Sequence, residues 1–351
     1  MSTIDSLLDD ILDSPGAANS FSSVSDDEPA GESFSGPLYE SEYEGTIDYR
    51  IRQLSYSSML TLHTCPRKYQ LYKLRTAHRE PETEKSTVTF AFGHVVGEAI
   101  QLFLSGASRE EVIWKMFLTW HAPLFAEDEK AKKSFWSAIL AAQRFEVVRA
   151  SVLDEYELVY YDGKPACELS FVINFPDGFR YRGHVDAVLR HRNTGDVLVL
   201  ECKTTGLKVV SPSSYKNSAQ AIGYSIVLDS LFPDLSSYSV LYLVYQTSSQ
   251  DYTTLSFDKT YLQRALWIRE LLLDIEQIKM YEQAGVYPMH GESCNAFMRD
   301  CEYINSCTMS TDYLARQGTE KDFDKTEYQV SLSLSDLLDT QLGKIQGVQS
   351  E

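Results

Sequence analysis

Apolar and polar positions follow two different periods along this chain, and the change of period divides it. From residue 54 to about 160 the apolar positions recur mainly at helical spacing and predict helices over 56–79, 90–105, 108–121 and 129–158. Beyond that the pattern shortens. Strands are predicted at 167–175, 179–190 and 196–204, rich in Val, Leu, Ile and Phe and separated by turn residues such as Asn193-Thr-Gly-Asp196. A helix at 214–230 follows, then strands at 238–246 and 252–257 and a long amphipathic helix from Phe257 to Glu282. Strands joined through a crossover helix imply an α/β fold, with a central mixed sheet flanked by helices.

Two of these strands carry chemistry. The strand Tyr181–His191 places one acid, Asp186, on its polar side. The next strand, Val197–Lys203, is apolar until it meets Glu201 and Lys203, which lie two apart and so project from one face. A hairpin brings Asp186 alongside them. Two carboxylates at roughly 4 Å repel by about 4 kcal/mol at an effective dielectric of about 20, so such a pair takes either a shared proton or a cation. Oxygen ligands suit Mg²⁺ or Mn²⁺. An adjacent lysine can orient a water or neutralise charge growing on a phosphoryl oxygen. The alternative is a hairpin whose charges merely face solvent.

Other residues extend the pattern. His94 lies in the mostly apolar helix Val88–Phe103; alone it reads as a packed histidine, and beside two acids it reads as a metal ligand. Gln220 and Tyr224 stand at i and i+4 on the predicted helix that follows the strands and therefore share a face. They serve either helix packing or contact with a phosphate or base. Glu168, opening the strand that runs to Phe175, is a further acid placed near the metal.

In that order, Ser55–Tyr69 with Cys65, Phe92-Gly-His-Val-Val-Gly-Glu98, Gly183-His-Val-Asp186, Glu201-Cys-Lys203 and Gln220-Ala-Ile-Gly-Tyr224 resemble a known series of motifs. The chain is similar to RecB-like nucleases of the PD-(D/E)XK superfamily, in the branch that carries an iron–sulfur cluster, which includes CRISPR-adaptation nucleases, AddB-type helicase–nucleases and phage exonucleases. The likeness runs from Leu54 to Cys307. It implies a restriction-endonuclease-like core, with Mg²⁺ or Mn²⁺ held by His94, Asp186, Glu201 and the carbonyl of Cys202. It makes Lys203 the residue that assists the attacking water, with Gln220 and Tyr224 beside it. The implied activity is exonuclease cleavage of DNA ends or single strands in replication, recombination or repair. A DNA endonuclease and a non-catalytic DNA-binding subunit of the same fold are the rival readings. The family's proline before the first acid is not present here.

Six cysteines add a second theme. Cys294, Cys301 and Cys307 fall within fourteen residues of polar, irregular sequence, while Cys167 and Cys202 sit in strands as inert thiols. Four thiolates can bind an iron–sulfur cluster or Zn²⁺. The resemblance favours a 4Fe–4S cluster with Cys65 as the distant fourth ligand, although the six-residue first gap is longer than in the AddB-type pattern. The sequence reads as having no secretory signal and no apolar run near the ~20 residues that span a bilayer. The expected setting is the cytoplasm of a bacterium or a phage-infected cell.

Formal charge is −18, an odd balance for an enzyme that acts on DNA, but its distribution resolves the oddity. Residues 1–47 hold eleven acids and no Lys or Arg, and residues 319–351 add seven acids against three lysines, which leaves the span between close to neutral. Within it Arg67, Lys68, Lys73 and Arg75, with His78 and Arg79, lie along one predicted helix and are expected, with Tyr224, to contact DNA. The chain thus divides into an acidic disordered tail (1–47), a helical region (48–160), a nuclease core (161–283), a Cys-rich segment (284–318) and an acidic flexible tail (319–351). Leu7-Leu8-Asp9 with Leu12 recurs as Leu337-Leu338-Asp339 with Leu342, a pair of short amphipathic segments expected to dock on a replication or recombination protein.

Overall fold

The computed structural model describes residues 51–73, 84–124, 132–232, 238–296, 299–305, 307–308 and 328–338. Among them one mixed sheet organises the molecule. Its main path is β8 (Val330–Ser333), β3 (Cys167–Asn174), β4 (Arg180–His191), β5 (Val197–Thr205), β6 (Ser239–Gln246) and β7 (Asp251–Asp258). Two short strands, β1 (Gln53–Leu54) and β2 (Tyr156–Leu158), also pair with β4. Neighbours β3/β4, β4/β5 and β6/β7 are antiparallel, as their short connections permit, while β5/β6 is parallel. The parallel pair needs a crossover, supplied by α7 (Ala219–Leu231). The expected mixed sheet flanked by helices is the fold observed.

Each face of the sheet buries a separate apolar cluster. On one side α1 (Tyr56–Thr64), α7 and α8 (Tyr261–Ala284) pack Met59, Leu62, Ile226 and Trp267 against Val185, Val199 and Tyr242. On the other, α3 (Glu84–Leu104), α4 (Arg109–Thr119) and α5 (Phe135–Glu155) pack Phe92, Val96, Met116 and Phe145 against Ala187, Leu200 and Leu243. The central strand β5 alternates between the two, with Val199 facing one cluster and Leu200 the other. Helix α7 is buried on all sides from Ala221 to Asp229, and Gly223 lets it lie flush against α8, since a Cβ there would stand 2.8 Å from the Trp267 ring.

Three expectations change. Within its described part, 56–73, the helix foreseen over 56–79 is two helices, α1 and α2 (Pro66–Lys73), separated at Cys65, whose backbone is extended (φ −159°, ψ 108°). Pro66 is the reason: a proline disfavours helical geometry in the residue before it and is well suited to start a helix itself. The helix foreseen over 214–230 is likewise divided into α6 (Ser213–Lys216) and α7, with Asn217 between them out of helical geometry. Finally, the segment expected to be a flexible acidic tail contributes to the fold. Strand β8 pairs in parallel with β3, and Leu337 beyond it is fully buried in the cluster under α8. Leu337 and Leu338 of the second Leu-Leu-Asp motif therefore pack on their own chain. The first such motif (7–12), the acidic segment 1–47, Asp339, Leu342, Arg75, His78 and Arg79 lie outside the described residues.

Candidate active site

The ladder between β4 and β5 runs from Arg190↔Val197 to Ala187↔Leu200 and stops there. At the point where the strands part, the Asp186 carboxylate replaces the next rung: Cys202 N–H donates to Asp186 Oδ2 at 2.8 Å. The other neighbour of β4 is irregular at the same level. Rungs Cys167↔Ala187 and Leu169↔Val185 keep one register but leave Glu168 opposite Asp186 unpaired, and Glu168 has a left-handed φ of 50°. The pairing is thus lost beyond this point on the β5 side of Asp186 and interrupted at this one position on the β3 side.

On β5, Glu201 and Lys203 project together as their spacing requires, with Lys203 Nζ 2.5 Å from Glu201 Oε1. Lys203 Nζ also donates to Gln220 Oε1 at 2.9 Å, and Gln220 Nε2 donates to the Tyr224 hydroxyl at 2.8 Å. Helical spacing on α7 brings the last two together. This chain of contacts fixes the ammonium from two directions. Glu201 is 1% exposed, and its second oxygen, Oε2, is buried without a hydrogen-bond partner among the described residues.

Burial dominates the electrostatics. It pushes Asp186 up to about 8, helped by the Glu201 carboxylate and opposed by the Cys202 amide and Lys203. Burial also raises Glu201, against the pull of Lys203. Burial would lower Lys203, but Glu201 outweighs it and the ammonium is held above its ordinary value. A site with two reluctant carboxylates, one oxygen of which lacks a partner, is chemically suited to a hard divalent cation.

Helix α3 supplies the opposite wall. His94, Glu98 and Gln101 form a polar stripe on this apolar helix and line a cleft of about 460 Å³ together with Glu168, Asp186 and Cys202. Gln101 Nε2 donates to Glu168 Oε1 at 2.7 Å, so it holds that acid in the cleft. Sequence reasoning passed over Gln101 and Glu98, yet their i+7 and i+4 spacing from His94 was the available signal. His94 and Asp186 border one cleft. Among the described residues, however, no three His, Cys, Asp or Glu side chains draw close enough to enclose a metal ion.

Over residues 53–308 the chain matches the profile of the PD-(D/E)XK nuclease superfamily. The chain belongs to that superfamily. The acid of β4, the acid–lysine pair of β5 and the Gln-x-x-x-Tyr of α7 are thus the nuclease's candidate catalytic set. A search of curated proteins gave no match. Among solved structures, a candidate exonuclease from Eubacterium rectale is similar at 11% identity and TM-score 0.43, covering 74% of this chain and 93% of its own. A second, SSO0001, is similar at 14% identity and TM-score 0.24, covering 53% of this chain and 84% of its own.

Away from the cleft, Cys65, Cys294 and Cys301 lie within electrostatic reach of Cys307, although among the described residues no three of these thiols draw close enough to enclose a metal ion. Burial raises the Cys307 thiol, and Cys65, Cys294 and Cys301 each add to the rise while Arg67 opposes it. Backbone and ion-pair contacts fasten the same region: Arg67 N–H donates to the Pro288 carbonyl at 3.0 Å, Cys301 N–H to Cys294 at 2.7 Å, and Lys68 pairs with Glu302 at 3.5 Å. Cys167 and Cys202 have thiols raised by burial, in keeping with inert packing.

These contacts revise the expected DNA-binding set. Arg67 and Lys73 are 7% and 8% exposed, and Arg67 Nε donates to the Cys307 carbonyl at 3.0 Å. Arg67 braces the Cys-rich segment, and neither side chain faces solvent. Tyr224 is 5% exposed, with its ring against Phe171 and its hydroxyl accepting from Gln220. Its part is to orient Gln220 and, through it, Lys203. Of that set Lys68 alone remains partly accessible among the described residues. No helix among them is long and apolar enough to cross a membrane.

Proposed function

We propose that this chain is a divalent-metal-dependent deoxyribonuclease that acts as an exonuclease on DNA ends or single strands. The observation that carries the reading is Glu201: a carboxylate buried at a strand end, one oxygen bound to Lys203 and the other without a partner among the described residues. A buried unpartnered carboxylate oxygen is costly unless something binds it. Asp186, Glu201, His94 and the Cys202 carbonyl would hold Mg²⁺ or Mn²⁺, which when bound supplies an activated water and stabilisation of the leaving oxygen. Lys203, fixed by Glu201 and Gln220, stands ready to orient that water and to offset charge on the phosphoryl oxygens. Gln220 and Tyr224 position the lysine without touching substrate.

Cleavage of labelled DNA in Mn²⁺ tests this directly. Linear DNA should be degraded from its ends while a covalently closed circle of the same sequence survives. Nicking or linearising the circle would instead assign an endonuclease.

Cys65, Cys294, Cys301 and Cys307 would hold a 4Fe–4S cluster, with Zn²⁺ as the alternative occupant of the same thiols. Their mutual influence at Cys307 and the dense contacts around Arg67 support a fastening role for the group. Anaerobically purified protein should be brown and contain iron; a colourless protein with stoichiometric zinc would move the chain to a different branch of the superfamily.

A further inference from the structure

We infer that the exposed aromatic ridge on α4 and α5 is a stacking platform for single-stranded DNA, guiding a strand to the His94 side of the cleft; the inference rests on the nuclease reading of that cleft. Trp114, Phe117 and Trp136 are 62%, 47% and 55% exposed. Scattered exposed rings need no explanation, but these form one surface. Trp114 stacks on Phe117 with centroids 6.0 Å apart, Phe117 meets the buried Phe135 at 6.0 Å, and Phe135 meets Trp136 at 5.5 Å. Exposed Leu118 and Leu140 belong to the same two helices. Phe135 and Trp120, themselves in contact at 5.5 Å, anchor the rings from beneath, so the ridge is presented with little freedom left to lose on binding.

The ridge is continuous with the cleft. His121 follows Trp120, and its ring meets the ring of His94 edge-on at 6.4 Å. Lys115 on α4 pairs at 3.4 Å with Glu98, which lines the cleft. Lys133 stands over Phe92 at 5.8 Å, two residues from His94, and Lys132 beside it is exposed. Ordered aromatic faces flanked by ammonium groups match the unstacked bases and phosphates of a single strand. A duplex keeps its base faces hidden and offers such a surface little.

The test uses the whole chain in EDTA, so that binding is read without cleavage. Trp120 and Trp267 are buried, so quenching of tryptophan fluorescence by oligothymidylate reports chiefly on Trp114 and Trp136. Oligothymidylate should quench, whereas an abasic oligonucleotide of equal length and charge should quench little and bind roughly 5- to 150-fold more weakly for each stacked base lost. The double variant Trp114→Ala, Trp136→Ala, checked for a native melt, should lose affinity for oligothymidylate to a similar degree. Equal binding of the abasic strand by the wild-type chain overturns the inference without any variant. Full DNA affinity in the double variant together with altered sedimentation overturns it too, and assigns the ridge to protein association. Because no catalysis is measured, failure of the nuclease reading, seen as full-rate cleavage by Lys203→Ala, leaves this result separately readable.

Discussion

At Asp186, charge and burial are in direct conflict, and the conflict sets how the protein responds to pH. A carboxyl raised above its ordinary value stays neutral in the fold while it ionises freely in the unfolded chain. Its stabilising contribution is complete below the ordinary Asp value of about 4 and is lost as pH rises through neutrality towards about 8. In EDTA the wild-type chain should therefore melt at a lower temperature at about pH 8 than at about pH 5, the direction that linkage requires. Asp186→Asn keeps an oxygen to accept from Cys202 N–H and removes the charge, so thermal melts should show a smaller difference between the two pH values. An unchanged difference would remove Asp186 as its source. At this scale the sequence was informative: the spacing of Glu201 and Lys203 alone placed both on one face. What it did not disclose was the burial of Tyr224, Arg67 and Lys73, because their charge or hydroxyl reads as exposure while their long or aromatic stems are what pack.

Among the elements, the long ones were legible and the short ones were not. Strands β3 to β7 and helices α4 and α8 carry enough periodic positions to be read within a few residues of their observed ends, whereas α3 starts earlier and α5 later than their apolar spacing implies. Strands β1 and β8 span two and four residues and pair with partners far along the chain, so no local pattern marks them. The break at Cys65 was legible in principle, through Pro66. Strand β8 has a measurable consequence. Leu337, fully buried behind it, should cost about 2–5 kcal/mol when replaced by Ala, read by denaturant unfolding. A loss near zero would return residues 328–338 to the status of a dispensable tail.

For the molecule as a whole, the sheet has two differently employed faces. The α7–α8 side immobilises the lysine: Gln220 is half-buried and Tyr224 buried there, and the Arg264–Asp229 ion pair at 3.1 Å joins α7 to α8 within the core. The α3–α5 side leaves a cleft, a stripe of polar groups and an aromatic ridge. A third group of contacts ties the start of the described chain to the end of α8 and the segment after it, through Arg52 and Glu282 at 2.8 Å, His290 and Thr64 at 3.0 Å, and Arg67 and the Cys307 carbonyl at 3.0 Å. Net charge gave the least guidance, because the acids concentrate in the terminal segments while the span that forms the cleft is nearly neutral.

The most direct measurement compares wild-type protein with Lys203→Ala on end-labelled linear DNA in Mn²⁺, with thermal melts of both to verify folding. The account predicts metal-dependent cleavage by the wild type and a loss of about a hundredfold or more in the variant at an unchanged fold. Equal cleavage by the two, or no cleavage by a correctly folded, metal-loaded wild type, would contradict it.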